Sequence, residues 1–234
     1  MAYKEFEIND HKVKIYKRKK AKYLRITIDS NGFVKISIPF WAPYKSGLDF
    51  YKSRIDWINK NQSMLTKPVL EPNQIIGKAH RLVFQAGEIE QTLNYSIRSN
   101  LVIVKHPKTT PYLSNEVQSK AEKASIEALR LQANELLPKR LEELSKRTEL
   151  SFSSIQIKKM KTRWGSCDSN KKIVLNLYLM LLPWRLIDYV LYHELTHTKV
   201  LRHGPKFWQE IAIYCPNYKE LKKELRNYQT RVGS

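Results

Sequence analysis

Cysteine and glycine are scarce in this chain of 234 residues, and long apolar runs are missing. Two cysteines, Cys167 and Cys215, are too few for a disulfide scaffold, which predicts two reduced thiols. Seven glycines and ten prolines, with no low-complexity tract and no evident repeat, exclude collagen-like and disordered chains. The most apolar stretch, residues 173–184, is too short to span a bilayer. Residues 1–5 hold no apolar signal core, so we expect a cytoplasmic protein without a membrane segment.

Acidic residues are also scarce. The chain has 22 Asp and Glu against 42 Lys and Arg, a formal charge of +20. Such an excess favours a polyanionic partner, and we expect nucleic acid or a nucleotide to bind through a basic surface. Tyr16 and Tyr23 flank a basic run at residues 17–20, and cations beside stacking rings suit single-stranded nucleic acid. Any one basic cluster is also typical of a solvated face, so the hypothesis depends on the total charge.

Residues 1–110 are predicted to be mainly β. Alternating apolar residues indicate strands at 13–15, 24–28, 34–38, 81–85, 95–97 and 101–104. Ser30-Asn31-Gly32 predicts a hairpin turn, because Asn-Gly tolerates positive φ. Apolar residues at three- and four-residue spacing over 48–58 predict one helix of about four turns.

Residues 111–234 are predicted to be richer in helix, which makes the chain α+β. A long helix begins at Ser114, whose side chain can cap it, and continues to Leu144 with a kink or restart at Pro138. The remaining expected elements are strands at 155–157 and 173–175, and helices that begin at Pro183, Pro205 and Pro216.

The strongest chemical signal is the segment HELTH, residues 193–197, followed by His203. On a helix, positions i and i+4 share one face, so the rings of His193 and His197 can reach one ion. Glu194 lies beside them and can face a water held at that ion. A chance match in a chain of this length has a probability of about one in a hundred. The other three histidines are expected to be structural: His11, His80 and His106.

The third histidine requires a reversal of the chain. A straight helix from His193 to His203 would rise about 15 Å and turn the third ring elsewhere. The chain must therefore turn back between His197 and His203. The turn uses residues 199–202, which include no glycine.

Three neutral imidazoles leave one coordination position for water, and zinc lowers the pKa of such a water to about 7. Zn²⁺ is the expected ion, and another divalent transition metal would also fit. Glu194 is the expected general base, which takes the proton of the water and passes it to the leaving group. Arg163, Tyr189 and Tyr192 are available by type to stabilise the anionic intermediate, and the sequence does not choose among them.

The segment from His193 to Trp208, HELTHTKVLRHGPKFW, resembles the YgjP-like metallopeptidase family, relatives of the SprT-like zinc proteases. The resemblance extends over most of the chain and includes RWGSC at 163–167, Asn176, Tyr189-Val190, the hairpin at Asn31-Gly32 and the helix near Trp57. The histidine spacing is also that of metzincins, but Val200 stands where those proteins have glycine.

The resemblance implies metal ligation by His193, His197 and His203, and catalysis by Glu194. It also implies a zincin-like catalytic domain over residues 111–234, packed with the β-rich region 1–110.

Three functions are compatible with the pattern. The first is a zinc-dependent metallopeptidase that hydrolyses peptide bonds through a metal-activated water, acting on nucleic-acid-associated proteins. The second is a metal-dependent hydrolase of nucleotide phosphoanhydrides, although no Gly-rich phosphate loop is present. The third is a nucleic-acid-binding protein with a structural metal. Glu194 argues against the third, because a structural metal site needs no base beside its ligand. Such a site also usually fills all four coordination positions with protein groups. We predict the first.

Overall fold

A computed structural model of the chain describes residues 3–9, 11–29, 33–63 and 69–232. The chain divides into two compact units between Lys67 and Pro68. Both units combine strands with helices, which confirms the α+β class. The division differs from the expected one at residues 110 and 111. The reason is that strands within residues 75–107 share one core with the long helix that follows them.

The first unit is one sheet with two helices. Its elements are β1 (Tyr3–Ile8), β2 (His11–Arg18), β3 (Arg25–Ile28), β4 (Val34–Pro39), α1 (Tyr44–Lys52) and α2 (Ile55–Ser63). The sheet order is β1-β2-β4-β3, with β2 parallel to β4 and the other pairs antiparallel. Alternate residues such as Ile15 and Ile36 are fully buried and pack with Tyr51 and Ile58 of the helices. The hairpin turn predicted at residues 30–32 lies outside the described residues.

The single helix expected over residues 48–58 is wrong, because the chain forms α1 and α2 with a break at Ser53 and Arg54. The Arg54 amide donates to the Tyr51 carbonyl at 3.0 Å, and the Ser53 hydroxyl donates to the Phe50 carbonyl at 2.9 Å. The Arg54 bond to the third residue back tightens the backbone at the end of the first helix, and the Ser53 hydroxyl satisfies a carbonyl there. Both helices face one core, which explains the continuous apolar spacing in the sequence.

The second unit contains two sheets and the longer helices. Its elements are β5 (Ile75–Ile76), β6 (His80–Gly87), β7 (Asn94–Arg98), β8 (Leu101–Pro107), α3 (Asn115–Thr148), β9 (Ser154–Lys158), β10 (Gly165–Cys167), β11 (Lys172–Asn176), a 3₁₀ turn (Leu177–Leu181), α4 (Trp184–His197), α5 (Pro205–Tyr214) and α6 (Tyr218–Leu225). The sheet orders are β5-β6-β8-β7 and β10-β11-β9. The strands predicted within residues 81–104, 155–157 and 173–175 are all present.

Helix α3 spans the second unit and packs on both of its sheets. The Ser114 hydroxyl caps it by accepting the Val117 amide at 3.3 Å, as its position predicts. The helix runs through Pro138 as one element and does not restart there. A face of alanine and leucine residues, including Ala121, Ala124 and Leu141, is fully buried against the sheets. No helix of the described residues is long and apolar enough to cross a membrane.

The two four-stranded sheets have the same topology, which the sequence did not reveal. In each, the two central strands are parallel and both edge strands pair antiparallel to them. Each sheet is followed by two amide-to-carbonyl bonds at the same spacing, from Ala42 to Pro39 and Ser46 to Pro43, and from Thr110 to Pro107 and Ser114 to Pro111. The second bond closes the first turn of α1 in one case and comes just before α3 in the other. The chain therefore builds one sheet module twice.

Candidate metal centre

The reversal after helix α4 brings His203 back to the helix. Helix α4 ends at His197, and the amide of Val200 still donates to the Thr196 carbonyl at 2.9 Å. Helix α5 then begins with Pro205 in its first turn, as predicted. Among the described residues, none in this reversal has a positive φ. The turn is thus made without the left-handed conformation for which glycine is usually needed.

The rings of His193, His197 and His203 converge on one point. The Nε2 atom of His203 lies 2.9 Å from Nε2 of His193 and 3.1 Å from Nε2 of His197. Each ring offers one ligand nitrogen, and these three atoms lie within 4.8 Å of one another. Two nitrogens bound to one tetrahedral zinc ion would lie roughly 3.3 Å apart. The three side chains therefore fit around a single ion.

The protonation of these rings suits a metal. Burial is the main cause that lowers the pKa of His193, to about 3, and burial also lowers the pKa of His197 and of His203. All three rings are therefore neutral at pH 7. The Nδ1 atom of His197 lies 3.1 Å from the Val200 carbonyl oxygen. We assign the proton of the His197 ring to Nδ1, since only a donor can bond to a carbonyl, which leaves the Nε2 lone pair facing the centre.

Helix α5 packs two aromatic rings against the histidines. Phe207 is fully buried, and its ring centroid lies 4.5 to 4.9 Å from those of all three rings. Trp208 stacks on His203 at 5.7 Å and on Tyr218 at 5.4 Å. The His203 side chain, on the turn, is thereby held between the helices. In the sequence, Phe207 and Trp208 stand out only as the end of the segment that resembles the family. Their packing role follows from the structure.

Glu194 directly follows His193 on α4 and has a buried carboxyl group. The residue is 4% exposed, and its Oε2 atom has no hydrogen-bond partner among the described residues. Burial raises the pKa of Glu194 to about 8, although the positive charge of Arg163 acts to lower it. A buried carboxyl without a partner is costly for folding alone, and such groups concentrate at functional sites.

Strand β10 closes one side of the Glu194 carboxyl. A Cβ atom added at Gly165 would lie 2.6 Å from Oε1 of Glu194, closer than real Cβ contacts allow. Residue 165 therefore has to be glycine if Glu194 is to keep this position. The sequence contained the signal, a glycine inside RWGSC, but gave no reason for it.

Asn176 holds the segment that leads to Gly165. Its buried side chain donates to the carbonyls of Met160 (2.8 Å) and Arg163 (2.7 Å). Its Oδ1 atom accepts from the amides of Met160 (3.3 Å) and Tyr178 (3.2 Å). One side chain thus fixes residues 160–163 against the end of β11.

The structure separates the three candidate donors. Tyr189 lies one turn before His193 on α4, with its ring 6.1 Å away, and burial raises its pKa to about 12. Its hydroxyl is therefore protonated at neutral pH. The charge of Arg163 acts on Glu194. Tyr192 instead stacks on Tyr214, with 6.4 Å between the ring centroids.

Cys167 does not have the properties of a nucleophile. Burial is the main cause that raises the pKa of its thiol to about 11, and the charge of Glu194 adds to the effect. The thiol is therefore protonated at neutral pH, whereas a reactive cysteine needs a lowered pKa. Cys215 is a free thiol as well, also with a raised pKa.

The other three histidines each make a hydrogen-bond contact of their own. His11 Nδ1 is 2.7 Å from the Tyr51 hydroxyl, and His80 Nδ1 is 2.6 Å from Nε2 of Gln132. His106 Nδ1 lies 3.1 Å from the carbonyl oxygen of the next residue.

Comparison with known proteins places the centre within a family. The family described as YgjP-like, metallopeptidase domain, matches residues 22–228. No curated protein matches the chain significantly. Similar solved structures include the metallopeptidase zymogen of Pyrococcus abyssi abylysin, at 21% identity, 44% of this chain, 92% of that chain and a TM-score of 0.35. They also include the zymogen of Methanocaldococcus jannaschii jannalysin, at 28% identity, 37% of this chain, 90% of that chain and a TM-score of 0.34.

Proposed function

The chain belongs to the YgjP-like metallopeptidase family and is a metal-dependent peptidase, and on this premise we propose that it is a zinc enzyme with Glu194 as general base. The proposed ligands are His193, His197 and His203. The proposal depends on one arrangement. The Nε2 atom of His203 lies 2.9 Å from that of His193 and 3.1 Å from that of His197, and the residue after His193 has a buried carboxyl group whose Oε2 atom has no partner among the described residues.

The donor set supports a catalytic ion over a structural one. Structural zinc sites usually have four protein ligands, whereas catalytic sites have three and leave one position open. Within the described part of the chain, the candidate cluster comprises only the three histidines. When bound, zinc supplies Lewis-acid activation of a water molecule and of the substrate carbonyl.

The protein's own contribution is a positioned proton acceptor. Glu194 directly follows a proposed ligand, and Gly165 leaves its carboxyl little room to move. In the proposed mechanism Glu194 accepts the proton of the attacking water and then donates it to the departing amine nitrogen. Of the three donors available by type, Arg163 and Tyr189 are the two with contacts or charge at this site, so one of them is the proposed partner of the anionic intermediate.

We further propose that the substrates are proteins associated with nucleic acid, in the cytoplasm. The charge of +20 supports a polyanion in the vicinity of the substrate. The free thiols of Cys167 and Cys215 suit a reducing compartment.

Hydrolysis of a nucleotide phosphoanhydride is a second candidate, favoured by one observation. A groove on α5 and α6 is lined by Trp208, Tyr218, Lys219, Lys222, Lys223 and Arg226. It adjoins the proposed centre, since Trp208 stacks on His203. The ammonium group of Lys222 lies 3.9 Å from the centroid of the Trp208 ring. Cations and rings of this kind can hold a phosphate chain and a base.

One experiment separates the two candidates. The zinc-loaded chain, its Glu194→Gln variant and a control variant, Glu135→Gln on the exposed side of α3, are incubated with denatured protein and with nucleoside triphosphates. New peptides, detected by mass spectrometry and missing only with Glu194→Gln, are the result that we expect. Phosphate release without new peptides selects the second candidate. Equal peptide formation by all three proteins rejects Glu194 as the base.

A further inference from the structure

We propose that the first unit binds single-stranded nucleic acid across the outer face of its sheet. Only the link between this nucleic acid and the peptidase substrates rests on the proposed function. The helices α1 and α2 pack on one face of the sheet. The opposite face, here named the basic sheet face, presents from its central strands Lys12, Lys14, Tyr16, Arg18, Lys35 and Ser37. These residues share a face because side chains alternate along a strand.

A groove extends the basic sheet face over β3 and the connection before it. It is lined by Arg18, Lys20, Lys22, Tyr23, Arg25 and Thr27. Arg25 lies opposite Ser37 in the register, so the groove runs across β3 and β4. It is continuous with a second depression that contains Tyr16 and Lys35. The result is one cationic path across three strands.

Aromatic rings lie exposed along this path. Tyr23 is 81% exposed in the connection between β2 and β3. Trp41, 80% exposed, follows the end of β4, and the register places that end beside the end of β2 at Arg18. Rings in these positions gain little from packing, but unpaired bases can stack on them.

Two lysines of the basic sheet face are paired with carboxylates, whereas two arginines of the groove are not paired with any described residue. Lys14 pairs with Glu5 at 2.8 Å, and Lys35 pairs with Asp29 at 2.9 Å. In contrast, the structure shows no ion pair from Arg18 or Arg25 to another described residue. Residues 1–67 hold 15 Lys and Arg against 6 Asp and Glu. The groove is therefore a positive surface that is not neutralised from within.

The second sheet provides an internal control, because it has the same topology. Lys14 and Lys35 are cross-strand neighbours in the first sheet. The neighbours at the equivalent register positions of the second sheet are Val83 and Ile103. The fold thus forms without these cations, and in the first sheet both are paired with carboxylates. The topology therefore does not require a basic face, and Arg18 and Arg25 are the cations that phosphate binding would use.

Single-stranded nucleic acid fits this surface better than a duplex or an acidic peptide. In a duplex the bases are stacked on each other and cannot reach Tyr23 or Trp41. An acidic peptide would pair with the cations but would leave both rings exposed. Only unpaired nucleotides use both features, through phosphates on the cations and bases on the rings.

The test is fluorescence anisotropy with a labelled oligothymidylate of about 20 nucleotides and the full chain. The variant is Arg18→Gln combined with Arg25→Gln. The matched control removes two exposed cations of α3, through Lys123→Gln combined with Arg130→Gln. We expect the groove variant to bind at least about tenfold more weakly than the wild type. The slope of log affinity against log salt concentration should become shallower by about two. The control should bind like the wild type. Thermal unfolding and zinc content verify the fold of each protein.

Tyr23 tests the stacking contribution separately. Tyr23→Ala should weaken binding about fivefold or more, whereas Tyr23→Phe should bind like the wild type. Equal losses in the groove variant and the α3 control would overturn the proposal. So would equal affinity for a duplex of the same length, or displacement of the oligonucleotide by oligoglutamate. Peptide cleavage is assayed in parallel. The groove variant should cleave normally, so failed binding and failed catalysis are distinguishable.

Discussion

In each unit helices cover one face of the four-stranded sheet. The second unit carries its chemistry on α4 and α5, whereas the first unit presents lysines and arginines on the other face of its sheet. At the metal centre, Glu194 is buried and its Oε2 atom has no hydrogen-bond partner among the described residues. On the basic sheet face, Arg25 is exposed and Tyr23 almost fully so. A polar group acquires unusual reactivity where water is excluded, and a cation can recruit a polyanion only where it is accessible.

This comparison predicts that the two units can be disabled separately. Changes at the centre should abolish catalysis and leave nucleic-acid binding intact, and changes on the basic sheet face should do the reverse.

Glu194→Gln should lower the rate of peptide cleavage by about 10²- to 10⁴-fold, because an amide cannot accept the proton of the water. Zinc content and oligonucleotide affinity should be unchanged. The measurement is kcat/KM on a cleaved peptide, beside anisotropy with the labelled oligonucleotide. A variant that keeps wild-type cleavage would contradict the role of the carboxyl.

Gly165→Ala should lower cleavage by about 10- to 100-fold with the metal retained, because the new methyl group displaces the Glu194 carboxyl. Ser166→Ala, at the next position of β10, is the control. The decisive pair of measurements is the cleavage rate and the zinc content of each purified variant. Full activity of Gly165→Ala would show that the position of the carboxyl is less constrained than the contact distance implies.

Asn176→Ala should destabilise the second unit by about 2 to 3 kcal/mol, since it leaves buried backbone groups of residues 160–163 without their bonds. The first unit should keep its stability. Hydrogen–deuterium exchange monitored by mass spectrometry resolves the two units, and Asn170→Ala in the exposed turn before β11 is the control. Equal destabilisation of both units would mean that they do not fold independently.

Lys14→Val with Lys35→Ile gives the first sheet the residues of the second. We expect oligonucleotide affinity to fall about three- to tenfold, because both lysines already pair with carboxylates. Peptide cleavage and thermal stability should not change. Lys45→Gln with Lys52→Gln, on α1, removes the same charge and should have a smaller effect on affinity. A loss of thermal stability would show that the lysines serve the fold.

Much of the fold follows from local patterns in the sequence. The strands with alternating apolar residues and the Ser114 cap of α3 were predicted, because each depends on residues close in the chain. The division between the units and the break at Ser53 were not. The break depends on tight backbone bonds, and the division depends on which helix covers which strands. Neither leaves a periodic signal in the sequence.

The part of the candidate site that depends on residues close in the chain was predicted from the sequence. The i and i+4 spacing of His193 and His197 is a local pattern, and the approach of His203 follows from the distance that it has to return. The fit of Gly165 against Glu194 and the bonds of Asn176 join segments far apart in the chain. Their residues stood out in the sequence only through resemblance, and their roles required the three-dimensional structure.

The metal content of the His203→Ala variant is the decisive measurement for a metal site formed by three histidines. His203 is exposed and lies on a turn, so its removal should leave the fold intact. We expect about one zinc ion per chain in the wild type and in the control His11→Ala. The zinc is measured by inductively coupled plasma mass spectrometry after dialysis against a weak chelator. The variant should retain less than about a tenth of that amount. Wild-type zinc content in His203→Ala would contradict a site formed by these three histidines.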